Sequence, residues 1–125
     1  MTRVEGCVLV VDDDEGIREV VQSLLEDEGC AVRTATDGRA ALAALEEFLP
    51  DVILLDMRMP VMDGWQFAAA YRERPEPKAP VVVMTAAQNA SAWAKEIQAD
   101  AFVPKPFEVD ALFRILRRFT TCVQP

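Results

Sequence analysis

The acidic residues of this chain gather at a few places. Asp12, Asp13 and Asp14 stand together after a short apolar run, Asp51 and Asp56 bracket a second run, and Asp63 precedes Gly64. Thr85 closes a third run at residues 81–84, and Lys105 follows Phe102, Val103 and Pro104. Carboxylates that converge repel one another, so such a group either keeps a proton or takes a divalent cation; oxygen donors with an open position suit Mg2+, or Mn2+. With a cation in place and the Lys105 ammonium beside it, the acids would tolerate a tetrahedral dianion, held also by the Thr85 hydroxyl and nearby backbone N–H groups. Asp56, the central acid, is then the natural nucleophile. The chain contains no histidine, which excludes imidazole acid–base catalysis, Ser-His-Asp triads and imidazole metal sites.

The apolar pattern marks out the elements that must position these residues. Cys7–Val11 reads as a strand, and Ile17, Val20, Val21, Leu24 and Leu25 then recur at helical spacing. Gly29 ends that helix and Ala31–Ala35 offers a second strand. Asp37 caps a helix expected to carry Ala41, Leu45, Phe48 and Leu49 on one face until Pro50 stops it. Val52–Leu55 suits a central strand covered on both sides. Asp63 and Gly64 open a third helix bearing Trp65, Ala68, Ala69 and Tyr71, and Pro80 leads residues 81–84 into a fourth strand. Ala90, Trp93, Ala94 and Ile97 give a fourth helix with a thin apolar stripe. Phe102 and Val103 form a fifth strand, placed at a sheet edge because Pro104 cannot donate to a ladder. Val109, Leu112, Phe113 and Leu116 stripe the last helix, with Arg114, Arg117 and Arg118 near its C-terminus.

Strands and helices alternating in this way imply right-handed crossovers and a doubly wound α/β domain, (βα)5 with a five-stranded parallel sheet in the order 2-1-3-4-5. Residues 1–125 read as one domain, with 120–125 a short tail and no output domain in the chain. Ligands of such sheets sit outside the carboxyl ends of the strands, where the strand order switches between the first and third strands. Asp12, Asp13, Asp56, Thr85 and Lys105 all follow strands at that end.

Composition narrows the function classes. A formal charge of -8 is a poor basis for gripping a phosphate backbone, so direct nucleic-acid binding is not expected. Cys7, Cys30 and Cys122 are widely spaced with no C-x-x-C pair, which fits free thiols in a reducing cytoplasm. No apolar stretch approaches the roughly 18 residues of a membrane span, so neither membrane insertion nor export is expected. Each site residue also has a plainer reading: an aspartate after a strand is more often a helix cap than a ligand, a lone threonine a turn hydroxyl, a lone lysine a solvated charge. Trp65 and Trp93 read as packing residues, because no basic residues surround them to build a base-stacking platform. The joint placement of acids, hydroxyl and amine at one end of the sheet favours a site.

Four motifs carry a resemblance. V-L-V-V-D-D-D at residues 8–14, L-L-D-M-R-M-P-V-M-D-G at 54–64, V-M-T-A at 83–86 and V-P-K-P-F at 103–107 resemble the receiver domain of two-component response regulators, CheY-like, over the whole chain. By that resemblance Asp56 is the phosphorylated aspartate, and Asp13, Asp12, Asp56 and the Arg58 backbone carbonyl hold Mg2+ (or Mn2+). Thr85, Lys105 and the Ala86 amide bind the phosphoryl group, and Lys105-Pro106 is a cis peptide. Thr85 and Phe102 are the switch pair, reporting to the face of the fourth helix, fifth strand and fifth helix. The resemblance further implies a cytoplasmic phosphoacceptor that assists its own aspartyl phosphorylation and dephosphorylation without being a conventional enzyme. Its donor is a histidine kinase or histidine phosphotransfer protein; the downstream target is unspecified, and the domain is a monomer or a phosphorylation-dependent dimer.

The chain departs from the family at Gln98, which stands where glycine is usual; a non-glycine held left-handed there costs on the order of 1 kcal/mol. Arg58 and Ala87 are the variable side chains flanking the site. Two rivals carry less: a haloacid-dehalogenase-like phosphatase suggested by Asp12-x-Asp14 lacks its usual Thr or Val at Gly16, and an unphosphorylated receiver-like interaction module leaves the complete acidic set unexplained. The Gly-rich turn of a dinucleotide fingerprint is missing from residues 12–16.

Overall fold

A computed structural model describes residues 2–125. Five parallel strands, β2 (Cys7–Val11), β3 (Ala31–Ala35), β5 (Val52–Leu55), β6 (Val81–Ala86) and β7 (Ala101–Lys105), pair in the order β3-β2-β5-β6-β7. Counting only these main strands, that is the expected 2-1-3-4-5. Five helices alternate with them: α1 (Glu15–Glu28), α2 (Gly38–Ala44), α3 (Gly64–Arg72), α4 (Ala87–Glu96) and α5 (Val109–Leu116). A parallel sheet covered on both faces must be apolar throughout its centre, and Val8 to Val11 and Val52 to Leu55 are all fully buried. Leu9, Val11, Ile53 and Leu55 face one core with Phe67 of α3, while Val8, Val10, Val52 and Leu54 face the other with Val21, Leu25, Leu112 and Leu116.

Local chemistry sets the helix ends. Asp14, Asp37 and Asp63 cap α1, α2 and α3 by accepting from the backbone amides of Ile17, Ala40 and Gln66, and Asp63 with Gln66 forms a reciprocal capping box. Gly29 terminates α1 at φ 105°. Gly64 is required for a different reason: a Cβ there would lie 2.7 Å from the Met57 Cα, where the start of α3 presses on the loop after β5. Gln98 does sit in the left-handed region, at φ 56°, and β7 is an edge strand, paired only with β6.

Two expectations are corrected. The apolar face assigned to α2 ends early, and Phe48–Leu49 instead forms a short strand, β4, parallel to β1 (Thr2–Arg3). An extended Phe48 reaches the core that a helical continuation would also have served. Second, Cys30 and Cys122 are not free thiols: the chain after α5 returns past Gly6 and brings their Cα atoms within 5.0 Å, forming a disulfide across 92 residues. Only Cys7 remains a thiol, buried, with its pKa pushed up by that burial. The short tail at residues 120–125 is anchored to the fold. Thr120 and Val123 are buried, and the Thr120 hydroxyl donates to Asp51 Oδ2 at 2.8 Å.

Candidate functional site

Strand register builds the site. Val11 pairs with Leu55, so the next residues, Asp12 and Asp56, emerge side by side from adjacent strands, and the Asp56 amide donates to the Val11 carbonyl at 2.9 Å. One strand further, Leu55 pairs with Val83, which sets Thr85 just beyond the level of Asp56. At the edge Ala86 pairs with Lys105, carrying the amine to the same end of the sheet. Asp12, Asp13 and Asp56 each offer a carboxylate oxygen within 4.8 Å of the others. Asp12 and Asp56 are buried and Asp13 is exposed, so the hollow opens to solvent on the Asp13 side.

Charge is only partly balanced there. Lys105 Nζ lies 2.6 Å from Asp12 Oδ2 and 3.7 Å from Asp56 Oδ1. Asp12 is further secured by the Asp14 amide, which donates to its Oδ1 at 2.9 Å. Asp56 has less support: besides the distant ammonium it accepts from the Arg58 backbone amide. Burial and the Asp12 carboxylate outweigh both and push its pKa up to about 6. A pocket of oxygen anions, one of them destabilised as an anion, is the donor set a small hard divalent cation fits.

Of the site residues read from the sequence, all fall at this end of the fold except Phe102, which stands on β7, 40% exposed and in register with Val83. Lys105-Pro106 is cis, as expected. Three features of the surroundings go beyond the sequence reading: one hydrogen bond, one side-chain contact and one backbone conformation. Arg18 of α1 donates through Nη1 to the Asp12 carbonyl at 2.7 Å, a contact six residues apart that helical spacing does not signal. Arg58 stacks its guanidinium over the Trp93 ring, a contact across tertiary structure that spacing does not reveal. Val61, in the loop after β5, holds φ 69°, where a β-branched residue is an outlier.

A doubly wound parallel sheet with an acidic, lysine-lined hollow at its topological switch point defines a CheY-like α/β domain. Within that class the chain belongs to the response regulator receiver domain family, whose sequence model matches residues 8–117. It is 40% identical over 115 residues to the DNA-binding transcriptional regulator NtrC of Salmonella typhimurium, a match covering 90% of this chain and 24% of that protein. The chain thus spans about a quarter of the length of that relative. Protein PilG of Pseudomonas aeruginosa is 31% identical, with 94% of this chain and 90% of PilG covered. Among solved structures, chemotaxis response regulator CheY4 of Vibrio cholerae superposes with a TM-score of 0.82 at 36% identity, covering 93% of this chain and 99% of that one. The receiver domain of sensor histidine kinase PA1611 from Pseudomonas aeruginosa, solved with a magnesium ion in its active-site cleft, gives 0.81 at 30% identity, covering 93% and 98%. The protein is a receiver domain of two-component response regulators, a signalling domain and not a conventional enzyme. Among the described residues no helix is long and apolar enough to cross a membrane.

Proposed function

We propose that Asp56 is the phosphoacceptor, and that Asp12, Asp13, Asp56 and the Arg58 carbonyl hold Mg2+ in the hollow. The supporting observation is the meeting of the Asp12, Asp13 and Asp56 carboxylates with the Lys105 ammonium. Bound there, the cation supplies positive charge to the phosphoryl oxygens. The chain's own residues do the rest. An Asp56 oxygen attacks the phosphorus of a phosphohistidine in line; the P–O bond forms as the P–N bond breaks, and the imidazole leaves with the electron pair. The donor must be a kinase or phosphotransfer protein, because this chain has no histidine. Lys105 Nζ, 3.7 Å from Asp56 Oδ1, is placed to neutralise an equatorial oxygen. The Thr85 hydroxyl and the Ala86 N–H complete the cradle.

In the same reading Thr85, buried at the end of β6, is drawn to the phosphoryl group, and Phe102 turns from its exposed position into the space vacated. The face of α4, β7 and α5 then reports the state. It carries an open groove of about 500 Å³ lined by Lys95, Phe102, Arg114, Ile115 and Arg118. A cytoplasmic location goes with this reading through the kinase donor alone, since the Cys30–Cys122 pairing removes the argument from free thiols. Incubation with acetyl phosphate and Mg2+ is expected to add one phosphoryl mass to the wild-type chain and none to Asp56→Asn; full labelling of the variant refutes the assignment.

A further inference from the structure

Arg58 lies two residues beyond Asp56 and is exposed, beside three carboxylates that should attract it. Yet among the described residues it makes no ion pair. Its guanidinium carbon sits 5.0 Å from the centroid of the Trp93 ring on α4. Trp93 in turn meets Trp65 of α3 edge-on, with centroids 4.8 Å apart and planes at 66°, and the Trp65 Nε1–H donates to Glu96 Oε1 at 2.8 Å. Both indoles are half-buried. A continuous line of contacts therefore runs from the residue after the acceptor's neighbour, across α4, to α3.

Resting on the proposed phosphorylation of Asp56, we propose that Trp93 is a positioning residue for Arg58: it parks the guanidinium on α4 while Asp56 is bare and releases it to the phosphoryl group once Asp56 is modified. The ring face holds a cation by its quadrupole alone, and at an exposed position that attraction is weak. A phosphoryl group offers three oxygens, nearly two negative charges and a geometry that a planar guanidinium meets bidentately, a stronger contact than the ring can make. Parking also keeps a second cation out of the acidic hollow before the phosphoryl group arrives. Release removes the contact of the loop after β5 with α4, which gives α4 a second connection to the acceptor, independent of Thr85.

The chain's two tryptophans make this readable, since Trp65→Phe leaves Trp93 as the sole indole. In Trp65→Phe, labelling with acetyl phosphate and Mg2+ should change Trp93 emission; in Trp65→Phe/Arg58→Gln the change should be clearly smaller at equal labelling, leaving only what reaches α4 through Thr85. Because parking withholds Arg58 from the site, Trp93→Leu should bind beryllium fluoride, a phosphoryl mimic, about two- to fivefold tighter by fluorine NMR, with Trp93→Phe restoring wild-type affinity. In an Arg58→Gln background Trp93→Leu should change nothing further. An emission change undiminished without Arg58, or an affinity gain that survives Arg58→Gln, overturns the inference while leaving phosphorylation intact. Failure of the wild-type chain to label at Asp56 removes both.

Discussion

Replacing Asp56 by asparagine should make the metal-free protein more stable, and only above a definite pH. Burial, followed by the Asp12 carboxylate, raises the Asp56 pKa from 3.8 to about 6, against the opposing pull of Lys105 and the Arg58 amide. Between those two values the folded chain holds a proton that the unfolded chain has released. Stability contributed at this site is therefore greatest in acid, falls as pH rises from about 4 to about 6, and stays low above that. A gap of about two pH units at about 1.4 kcal/mol per unit puts up to about 3 kcal/mol of desolvation and repulsion on the folded state at pH 8. Asparagine keeps the shape and removes the charge, so Asp56→Asn should gain up to about that amount in urea denaturation with chelator at pH 8. The gain should shrink toward zero near pH 4. Mg2+ should reverse the ranking, since it stabilises only the chain that retains the third carboxylate. A variant no more stable than wild type at pH 8, or a gain that grows as pH falls, would refute the electrostatic account of the hollow.

Three further perturbations test other parts of the fold. Lys105→Met leaves the Asp12 carboxylate, fully buried and 2.6 Å from the ammonium, without its cation; stability in chelator should drop by about 3 kcal/mol and recover largely on adding Mg2+, and a variant indifferent to chelator would contradict this. Cys30→Ser should lower the urea midpoint under oxidising conditions, with a loss of about 4 kcal/mol for a closed loop of this length, and should match the wild type once a dithiol reductant is present. Gln98→Gly should raise the melting temperature in proportion to about 1 kcal/mol, because glycine occupies φ 56° without a Cβ clash; a lower melting temperature would mean that the Gln98 side chain contributes more than its backbone costs.

The sheet and the site were legible because both rest on local signals. Residues 52–55, four apolar residues between two acids, suit a strand covered on both sides, and a carboxylate following such a strand has one end of the sheet to occupy. What escaped depends on how distant segments meet. Phe48 and Leu49 satisfy a helical apolar face as well as a two-residue strand, and only the arrival of Thr2–Arg3 alongside decides between them. Cys30 and Cys122 are separated by 92 residues, with no spacing rule to join them until the chain beyond α5 is seen to fold back. Arg58 and Trp93 belong to a loop and a helix whose approach is set by the packing of α4. Phe67 is fully buried while Trp65 and Ala68 are only partly so, because the face of α3 that meets the sheet follows Gly64, Phe67 and Tyr71 and not the Trp65–Ala68 stripe.

The two aspartates that bracket β5 show how one residue type divides between structure and chemistry. In the sequence they are symmetrical, one at each end of the same apolar run. Asp51, at the amino end, is surrounded by donors: Arg3 Nη2 at 3.1 Å, the Gly6 amide at 2.9 Å and the Thr120 hydroxyl at 2.8 Å. Its charge is matched, and its role is to fasten the start of the chain and the segment after α5 to the sheet. Asp56, at the carboxyl end, has one backbone amide and a lysine committed more closely to Asp12, with two further carboxylates facing it. The parallel arrangement produces the difference, because every strand delivers its following residue to the same end and the motifs there bring acids rather than partners. An acid left short of donors by its own neighbours is stabilised only by something that arrives from outside. That unmet electrostatic demand is the property a phosphoacceptor needs and a structural aspartate must avoid.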